Sequence, residues 1–324
     1  APTFHFVKRH LMLLPVAAGL LIGCSLLTPR QTRMAALLLL LGATAALLAT
    51  QFIGVEIKGA RRWIPLGGFS LQASEFAKPA MAVLAAWMLA QHQRAGGQGY
   101  LIGGLAVFLL PLTLTAIQPD VGASVVMTTV FGLQLFIAGV SLWVAFALAA
   151  MGIGALGLTY LSVPHVTSRV DRFLDPAKGD TYQIDMSLNA FRTGGLVGKG
   201  PGDGVIKGQL PDAHSDFIFA VAGEEFGLFV CLIIVGLFAF IVLRAMARAF
   251  SDGNLFIMLS AGGLAALFGA QALVNMGSTL ALIPTKGMTL PFVSYGGSSL
   301  FAIAIAMGFA LALTRKRIDP ESEA

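Results

Sequence analysis

The sequence predicts an all-α protein that crosses a membrane many times, and three observations support this prediction. The chain of 324 residues is 56% hydrophobic and only 11% charged, whereas soluble domains carry about 25% charged residues. Apolar runs close to the length that spans a bilayer, about 20 residues, recur nine times along it. The longest connection between these runs is a polar stretch at residues 164–216.

The apolar runs predict nine membrane helices in chain order. Most of the runs are rich in Leu, Ala, Val and Gly, and small residues of this kind let membrane helices approach closely. No separate soluble domain interrupts them, so residues 1–324 are predicted to form a single integral membrane domain. The approximate limits of the helices are 11–28, 34–54, 77–91, 100–117, 122–140, 142–163, 217–243, 254–274 and 288–314.

Nine spans place the two ends of the chain on opposite sides of the membrane. One side collects bases at helix ends with few acids, as cytoplasmic loops do; these bases are Arg30, Arg33, Arg94, Arg244, Arg248 and Arg315 to Arg317. The opposite side carries as many bases but most of the acids. Since long loops translocate largely regardless of charge, we expect the C-terminus inside and residues 164–216 in a large extracytoplasmic loop.

Composition excludes two classes of site. The net charge of +5 comes from bases scattered through loops and helix ends, without the basic patch and interleaved aromatics of a nucleic-acid surface. No nucleic-acid partner is therefore expected. Cys24 and Cys231 both lie in apolar runs, and we interpret them as small buried hydrophobes rather than as a disulfide or metal site.

Polar residues cluster on the predicted outer side, after the second and fourth spans. Trp63 and Arg62 fit an interfacial anchor or a cationic cradle for phosphate, and the residues alone leave both open. Glu75 and Lys78 are three residues apart, so on a helix they share a face and could pair. Asp120 is interpreted as the cap of the next helix, because Asp is favoured at that position.

The long polar stretch is the segment with the strongest functional signal, because loops of this length are usually functional. Its glycine run at residues 194–200 fails the nucleotide-binding patterns, since Gly200 follows Lys199 where Ser or Thr is required. Turns and close backbone approach explain these glycines better. No organic cofactor is expected.

Asp216 closes this stretch and is predicted to begin the next apolar helix. A carboxylate at the membrane surface is costly unless it is paired or used. It could be an N-cap stabilised by the helix dipole or a general base, and the residues alone do not separate these roles. Asp216, Ala220, Gly223 and Gly227 are predicted to share one helical stripe that packs tightly or lines a cavity.

Taken in order, these segments resemble the SEDS family of bacterial membrane proteins (shape, elongation, division and sporulation). The resemblance covers nearly the whole chain and is closest to the cell-division branch, because residues 284–287 are more similar to it than to the elongation branch. The family has ten spans, which implies that the first is absent from this sequence. The matching motifs are residues 59–63, 74–76 with Lys78, 118–120 with Gly122, 211–219, 224–225 with Gly227, and 291–299.

The resemblance implies a peptidoglycan glycosyltransferase that polymerises lipid II during cell division. It acts at the outer face of the bacterial cytoplasmic membrane, at the septum. Asp216 is then the residue essential for activity and is expected to act as general base in an inverting transfer that releases undecaprenyl diphosphate. The expected substrate-binding residues are Trp63, Arg62, Glu75, Lys78, Lys286 and Ser294.

The resemblance also implies protein partners, and the proposed chemistry is compatible with a bound metal ion. A class B penicillin-binding transpeptidase and other divisome proteins are the expected protein partners, beside the lipid II substrate and membrane lipid. A divalent cation, Mg²⁺ or Mn²⁺, held by Asp216 or Glu75 would help to neutralise the leaving diphosphate.

Two other functions stay open from the sequence. A lipid II flippase or an ion-coupled transporter would use acidic residues within spans as proton relays, although the charged residues gather on one side rather than at the midplane. A scaffold that only recruits division partners would tolerate substitutions at Asp216, Lys78 and Arg62, while changes on span faces would impair it.

Overall fold

The computed structural model describes residues 5–57, 60–67, 69–140, 181–285 and 287–315, together with scattered positions between 143 and 175. Nine α-helices make up most of the described chain. They are α1 (His5–Ser25), α2 (Pro29–Ile53), α3 (Ala73–Ala95), α4 (Gln98–Ile117), α5 (Val121–Ile137), α6 (Tyr182–Gly194), α7 (Ile218–Phe250), α8 (Leu255–Thr279) and α9 (Gly297–Thr314).

The described helices confirm a polytopic membrane protein. Six of them, α1, α2, α4, α7, α8 and α9, are long and apolar enough to cross a bilayer, and α5 is a shorter apolar helix. Eight of the nine predicted spans coincide with a described helix; the prediction at 142–163 lies outside the residues that can be described continuously.

The last predicted span, 288–314, is too long. Helix α9 begins only at Gly297, and the residues before it form turns. Phe292 in that segment has a positive φ of 62°, which a helix does not allow. The segment 287–296 is therefore irregular backbone, and it runs along the cleft described below.

Helix α3 lies at the centre of the bundle, packed against α2, α4, α5, α8 and α9. Fifteen of its 23 residues are buried, and many of them are alanines. Small side chains let the surrounding helices approach on all sides. Helix α8 is the second central helix and packs against α3, α5, α7 and α9. These two helices carry the polar groups beneath the site.

A small antiparallel sheet joins α2 to α3 and departs from the all-α prediction. It consists of β1 (Val55–Ile57), β2 (Ala60–Leu66) and β3 (Phe69–Leu71), in the order β1-β2-β3. The register pairs Glu56 with Arg61 and Ile64 with Leu71. Ala60 and Ile64 are buried, so the sheet lies on the bundle and fixes the position of the polar residues of β2.

Helix α7 bends at Gly227, whose φ of 73° and ψ of −172° are not helical. The glycine-rich segment 195–200 lies across this bend. Four backbone hydrogen bonds join the segment to the helix and take the place of helical bonds, as a membrane helix requires. They run from Lys199 N to Glu224 O, from Gly200 N to Glu225 O, from Leu228 N to Gly195 O and from Phe229 N to Leu196 O, at 2.9 to 3.3 Å.

Candidate functional site

A cleft of about 460 Å³ lies between the first turns of α1, the small sheet, the start of α3 and the segments that precede α7 and α9. Four residues predicted from the sequence line it: Asp216, Glu75, Arg62 and Trp63. The sequence did not predict the other polar and aromatic lining residues, which include Arg9, Gln72, Gln183, Asp212, His214, Tyr295, Ser298 and Ser299.

Asp216 lies in a turn, not in the helix. Helix α7 begins at Ile218 with Phe217 as its N-cap, which excludes the cap role that the sequence left open for Asp216. The predicted helical stripe of Asp216 with Ala220, Gly223 and Gly227 is wrong. The physical reason is an interrupted backbone. Asp212 has a φ of 56°, and its carbonyl accepts from the backbone N–H groups of Ser215 and Asp216, both at 3.0 Å, which folds the turn before the helix starts.

Helix α8 fixes the backbone of Asp216 through the side chain of Asn275. Asn275 is fully buried, and its Nδ2 donates to the Asp216 carbonyl at 2.9 Å and to the Met288 carbonyl at 2.7 Å. A Cβ at Gly287 would lie 3.1 Å from Asp216 Oδ2, so the absence of a side chain at Gly287 leaves room for this carboxylate. The turn of Asp216 and the segment 287–296 are thus joined into one wall of the cleft.

Ser294 fixes the same wall through hydrogen bonds between its hydroxyl group and the backbone. It is buried, its hydroxyl donates to the Ser215 carbonyl, and the hydroxyl oxygen accepts from Leu290 N at 2.8 Å. The structure therefore places this predicted substrate-binding residue outside the lining of the cleft, where its contacts are with backbone.

The predicted pairing of Glu75 with Lys78 is confirmed. Lys78 Nζ lies 2.7 Å from Glu75 Oε1 and donates to Gln271 Oε1 at 2.9 Å. Both charges are buried, with 6% of Glu75 and 1% of Lys78 exposed. Glu75 lines the cleft whereas Lys78 lies behind it. Within the described part of the chain, Glu75 Oε2 is buried without a hydrogen-bond partner.

Arg62 is anchored to the turn between α4 and α5. Its Nε donates to the Gln118 carbonyl at 3.1 Å, Nη2 donates to the Pro119 carbonyl, and Nη1 lies 3.8 Å from Asp120 Oδ1. Asp120 caps α5 by accepting from Ala123 N at 3.3 Å, which confirms its predicted role. Much of the hydrogen-bonding capacity of Arg62 is therefore used within the protein.

Lys286, the last predicted cation, lies outside the described residues. Its neighbours Thr285 and Gly287 both line the cleft.

An aromatic cluster that sequence reasoning missed closes one side of the cleft. The rings of Phe6 and His214 stack with centroids 3.7 Å apart, and Tyr295 lies 5.3 Å from Phe6. Burial lowers the pKa of His214 below its ordinary value, against the opposing effect of the Asp212 carboxylate, which favours the neutral form of the ring. The position of His214 two residues before Asp216 was the one signal in the sequence that could have placed it near the site.

The acids Glu224 and Glu225 of the family motif hold the long loop rather than line the cleft. Glu224 is fully buried and accepts from the backbone N–H groups of Val205, Ile206 and Lys207 at 2.7 to 2.9 Å. Glu225 forms an ion pair with Lys207. These contacts attach the loop, including a short 3₁₀ helix at Ile206–Gly208, to α7.

A metal site made by protein ligands alone is not visible in the described ranges, where no group of three or more His, Cys, Asp or Glu side chains is close enough to hold an ion. Asp216 and Glu75, the two residues expected to bind a cation, nevertheless line the same cleft. Mg²⁺ usually takes one or two carboxylates together with substrate phosphates, and each of these residues is of the ligand type that such a site uses.

Comparisons with known proteins agree on one family. A model of the FtsW/RodA/SpoVE family, described as cell cycle proteins, matches residues 1–318. The probable peptidoglycan glycosyltransferase FtsW of Caulobacter vibrioides is 45% identical over 314 residues, which cover 97% of this chain and 80% of that protein. The protein of the same description from Tolumonas auensis is 38% identical over 328 residues, covering 98% and 85%.

Solved structures give the same result for the fold. A chain from a peptidoglycan synthase complex, described as coordinating polymerization and crosslinking, superposes with a TM-score of 0.78 at 28% identity, covering 98% of this chain and 92% of that one. The rod shape determining protein RodA of Thermus thermophilus superposes with a TM-score of 0.73 at 26% identity, covering 98% and 90%.

Proposed function

Because this chain belongs to the FtsW/RodA/SpoVE family of cell cycle proteins, we propose that it is a peptidoglycan glycosyltransferase that polymerises lipid II during cell division. One observation carries the proposal. The carboxylate of Asp216 lies in a cleft at the end of membrane helices, on a wall that Asn275 and Ser294 fix through its backbone. A carboxylate in such a place is typical of a catalytic group.

The proposed reaction is an inverting glycosyl transfer. The 4-hydroxyl of one sugar attacks the anomeric carbon of a lipid-linked sugar, a new C–O bond forms, and the bond from that carbon to the diphosphate oxygen breaks. Asp216 accepts the proton of the attacking hydroxyl as general base. Undecaprenyl diphosphate leaves with the bonding electron pair, and Asp216 returns its proton to solvent.

The other lining residues would bind and orient the substrate. Trp63 offers an aromatic face for a sugar ring, and Glu75 offers a carboxylate oxygen without a protein partner among the described residues. Arg62 and Lys286 would provide positive charge for the diphosphate, whereas Lys78 acts through its pairing with Glu75. A divalent cation bound by Asp216 or Glu75 would add further neutralisation of the leaving group.

Location and partners follow from the same proposal. The cleft would open at the outer face of the bacterial cytoplasmic membrane, at the division septum, where lipid II is consumed. A class B penicillin-binding transpeptidase would crosslink the glycan made here. The similarity to a chain of a complex that coordinates polymerization and crosslinking supports this partner.

Polymerisation of lipid II by the purified protein, with its cognate transpeptidase, tests the proposal. We expect glycan chains from the wild type and a loss of about 10²- to 10⁴-fold in rate for Asp216→Asn and Asp216→Ala, the usual contribution of a general base. Asp203→Asn is the matched control, because Asp203 is an exposed acid of the same loop outside the cleft, and its rate should equal that of the wild type.

The result also separates the proposal from the other functions. Wild-type rates in both Asp216 variants would remove the general base from the mechanism. No polymer from the wild type, even with its partner, would instead favour lipid translocation or a scaffold role.

A further inference from the structure

The first turns of α1 form a wall of the cleft, and Arg9 lies on this wall. Phe6, Arg9, His10 and Leu13 are spaced so that they share one face of the helix. Arg9 and Leu13 line the cleft. Phe6 stacks on His214, so this face is held against the turn that carries the proposed base.

A second contact fixes the orientation of the same face. His10 Nε2 lies 3.2 Å from the carbonyl oxygen of Phe292, in the segment that borders Asp216. Phe6 and His10, the residues on either side of Arg9 on this helix face, thus both contact the wall of the cleft that carries Asp216. The rotation of α1 that these contacts impose directs Arg9 toward the cleft.

The opposite face of α1 is apolar and exposed. Val7, Leu11 and Met12 are large apolar residues that are more than half exposed, as expected for a helix at the edge of a membrane bundle. Arg9 therefore lies where this apolar face of α1 meets the cleft. A headgroup attached to a membrane-embedded tail would pass this position when it enters.

Among the described cations near the cleft, Arg9 differs from Arg62 and Lys78 in its contacts. The carboxylates of Glu75, Asp212 and Asp216 line the cleft together with the guanidinium groups of Arg9 and Arg62. Arg62 is tied to backbone carbonyls, while Lys78 lies behind the lining. Arg9 is exposed, and no described residue forms a hydrogen bond or ion pair with it.

We propose that Arg9 binds the diphosphate of the lipid-linked substrate and neutralises the charge that the diphosphate gains as it leaves. This inference rests on the proposed glycosyltransferase function and adds a substrate-binding residue to it. A guanidinium presents paired N–H donors that match phosphate oxygens. Donors placed where negative charge develops stabilise the transition state more than the ground state.

Binding of undecaprenyl diphosphate to the purified protein in detergent tests the proposal without turnover. We expect Arg9→Gln to weaken binding by about 10- to 100-fold, the usual effect of losing a hydrogen bond to a charged group. Arg9→Lys should lose less, because the charge remains but the paired donors do not. Lys8→Gln is the matched control, since Lys8 is the adjacent exposed cation and does not line the cleft; its affinity should be unchanged.

Two further ligands identify the chemistry that Arg9 recognises. Undecaprenol, which has the tail without the charge, should bind Arg9→Gln and the wild type equally. Phosphatidylglycerol should compete weakly, and its competition should not depend on Arg9. If it competes strongly and loses that ability in Arg9→Gln, the residue is a general site for anionic lipid and the diphosphate proposal is overturned.

The proposal fails if Arg9→Gln binds undecaprenyl diphosphate as tightly as the wild type, or if the wild type does not bind it. Its failure is distinct from that of the proposed function. A wild type that polymerises lipid II while Arg9→Gln binds and reacts normally would leave the glycosyltransferase intact and remove only Arg9. Thermal unfolding of each variant confirms that the exposed substitution leaves the fold unchanged.

Discussion

Glu75 and Lys78 place two opposite charges inside the helical bundle, where both are removed from water. Their Nζ–Oε1 distance of 2.7 Å allows a strong attraction, but desolvation of the two ions offsets much of it. Apolar residues of the same size would often be as stable. The pair is therefore better explained by the Glu75 carboxylate that it holds at the cleft than by a gain in stability.

Removing one partner of this pair should have a large effect on stability. We expect Lys78→Met to lower the free energy of unfolding by about 3–5 kcal/mol, because Glu75 is then buried without a counter-charge. The double variant Lys78→Met with Glu75→Gln should recover most of that loss, since no unpaired charge remains. Thermal unfolding in detergent measures both.

Activity distinguishes this electrostatic account from simple packing. The double variant should stay inactive in lipid II polymerisation although it is stable, because Glu75 lines the proposed active site. A single Lys78→Met variant as stable as the wild type would contradict the account.

At this scale, sequence spacing predicted local pairs but not long-range ones. The pairing of Glu75 with Lys78 follows from a separation of three residues on a helix, and the cap role of Asp120 follows from its position before α5. The anchoring of Arg62 by the carbonyls of Gln118 and Pro119 could not be predicted in this way, because no local pattern encodes a contact with backbone more than fifty residues away.

At the scale of elements, the bend of α7 and the glycine-rich segment form one unit. A Cβ at Gly194 would lie 1.9 Å from the Gly223 carbonyl oxygen, and one at Gly198 would lie 2.2 Å from the Glu225 carbonyl oxygen. Both obstacles are backbone and cannot rotate away. The close backbone approach inferred from the sequence is confirmed, although its partner, a bent helix, was not foreseen.

Gly194→Ala should therefore push the end of α6, and the glycine-rich segment that follows it, away from α7. We expect a loss of about 1–3 kcal/mol or more in the free energy of unfolding, the usual cost of forcing an extra group into a packed region. Gly208→Ala is the matched control in the same loop, because a Cβ there meets no atom within 4 Å and should change stability by less than about 0.5 kcal/mol.

Chemical or thermal unfolding in detergent gives both values. Equal stability of Gly194→Ala and Gly208→Ala would show that the segment does not pack against the bend as described.

Hydrophobic runs located the helices well but not the irregular backbone between them. The small sheet was missed because β1 and β3 have only three residues each, too few for an alternating pattern to register. Asp216 was taken as the start of a helix because an apolar run begins directly after it, and the segment before α9 was taken as helix because apolar residues continue through it. Their conformations depend on Asp212 and Phe292 at positive φ, which hydrophobicity does not report.

At the scale of the whole molecule, the described helices place the cleft at the end opposite to a group of arginines. The cleft lies where α3, α7 and α9 begin, whereas the ends of α3 and α7 carry Arg94, Arg244 and Arg248. Arg33 lies at the same end as these arginines, over the rings of Trp87 and Phe256 at 5.6 and 5.5 Å. Helix ends that carry bases and few acids are typical of the cytoplasmic side, so the cleft is expected to face outward.

Cysteine labelling in intact cells tests this orientation. In a background where Cys24 and Cys231 are replaced by Ala, Asp203→Cys places a thiol in the loop beside α7, and Ser251→Cys places one between α7 and α8; both positions are exposed. We expect a membrane-impermeant maleimide to label position 203 in spheroplasts and position 251 only after permeabilisation, because the bases near position 251 should remain inside.

Labelling of both thiols after permeabilisation is the control for their accessibility. The reverse pattern in intact spheroplasts would place the cleft and Asp216 on the cytoplasmic side. Lipid II polymerised at the outer face could not then reach Asp216, so the orientation of the whole molecule decides whether the proposed base and the proposed substrate can meet.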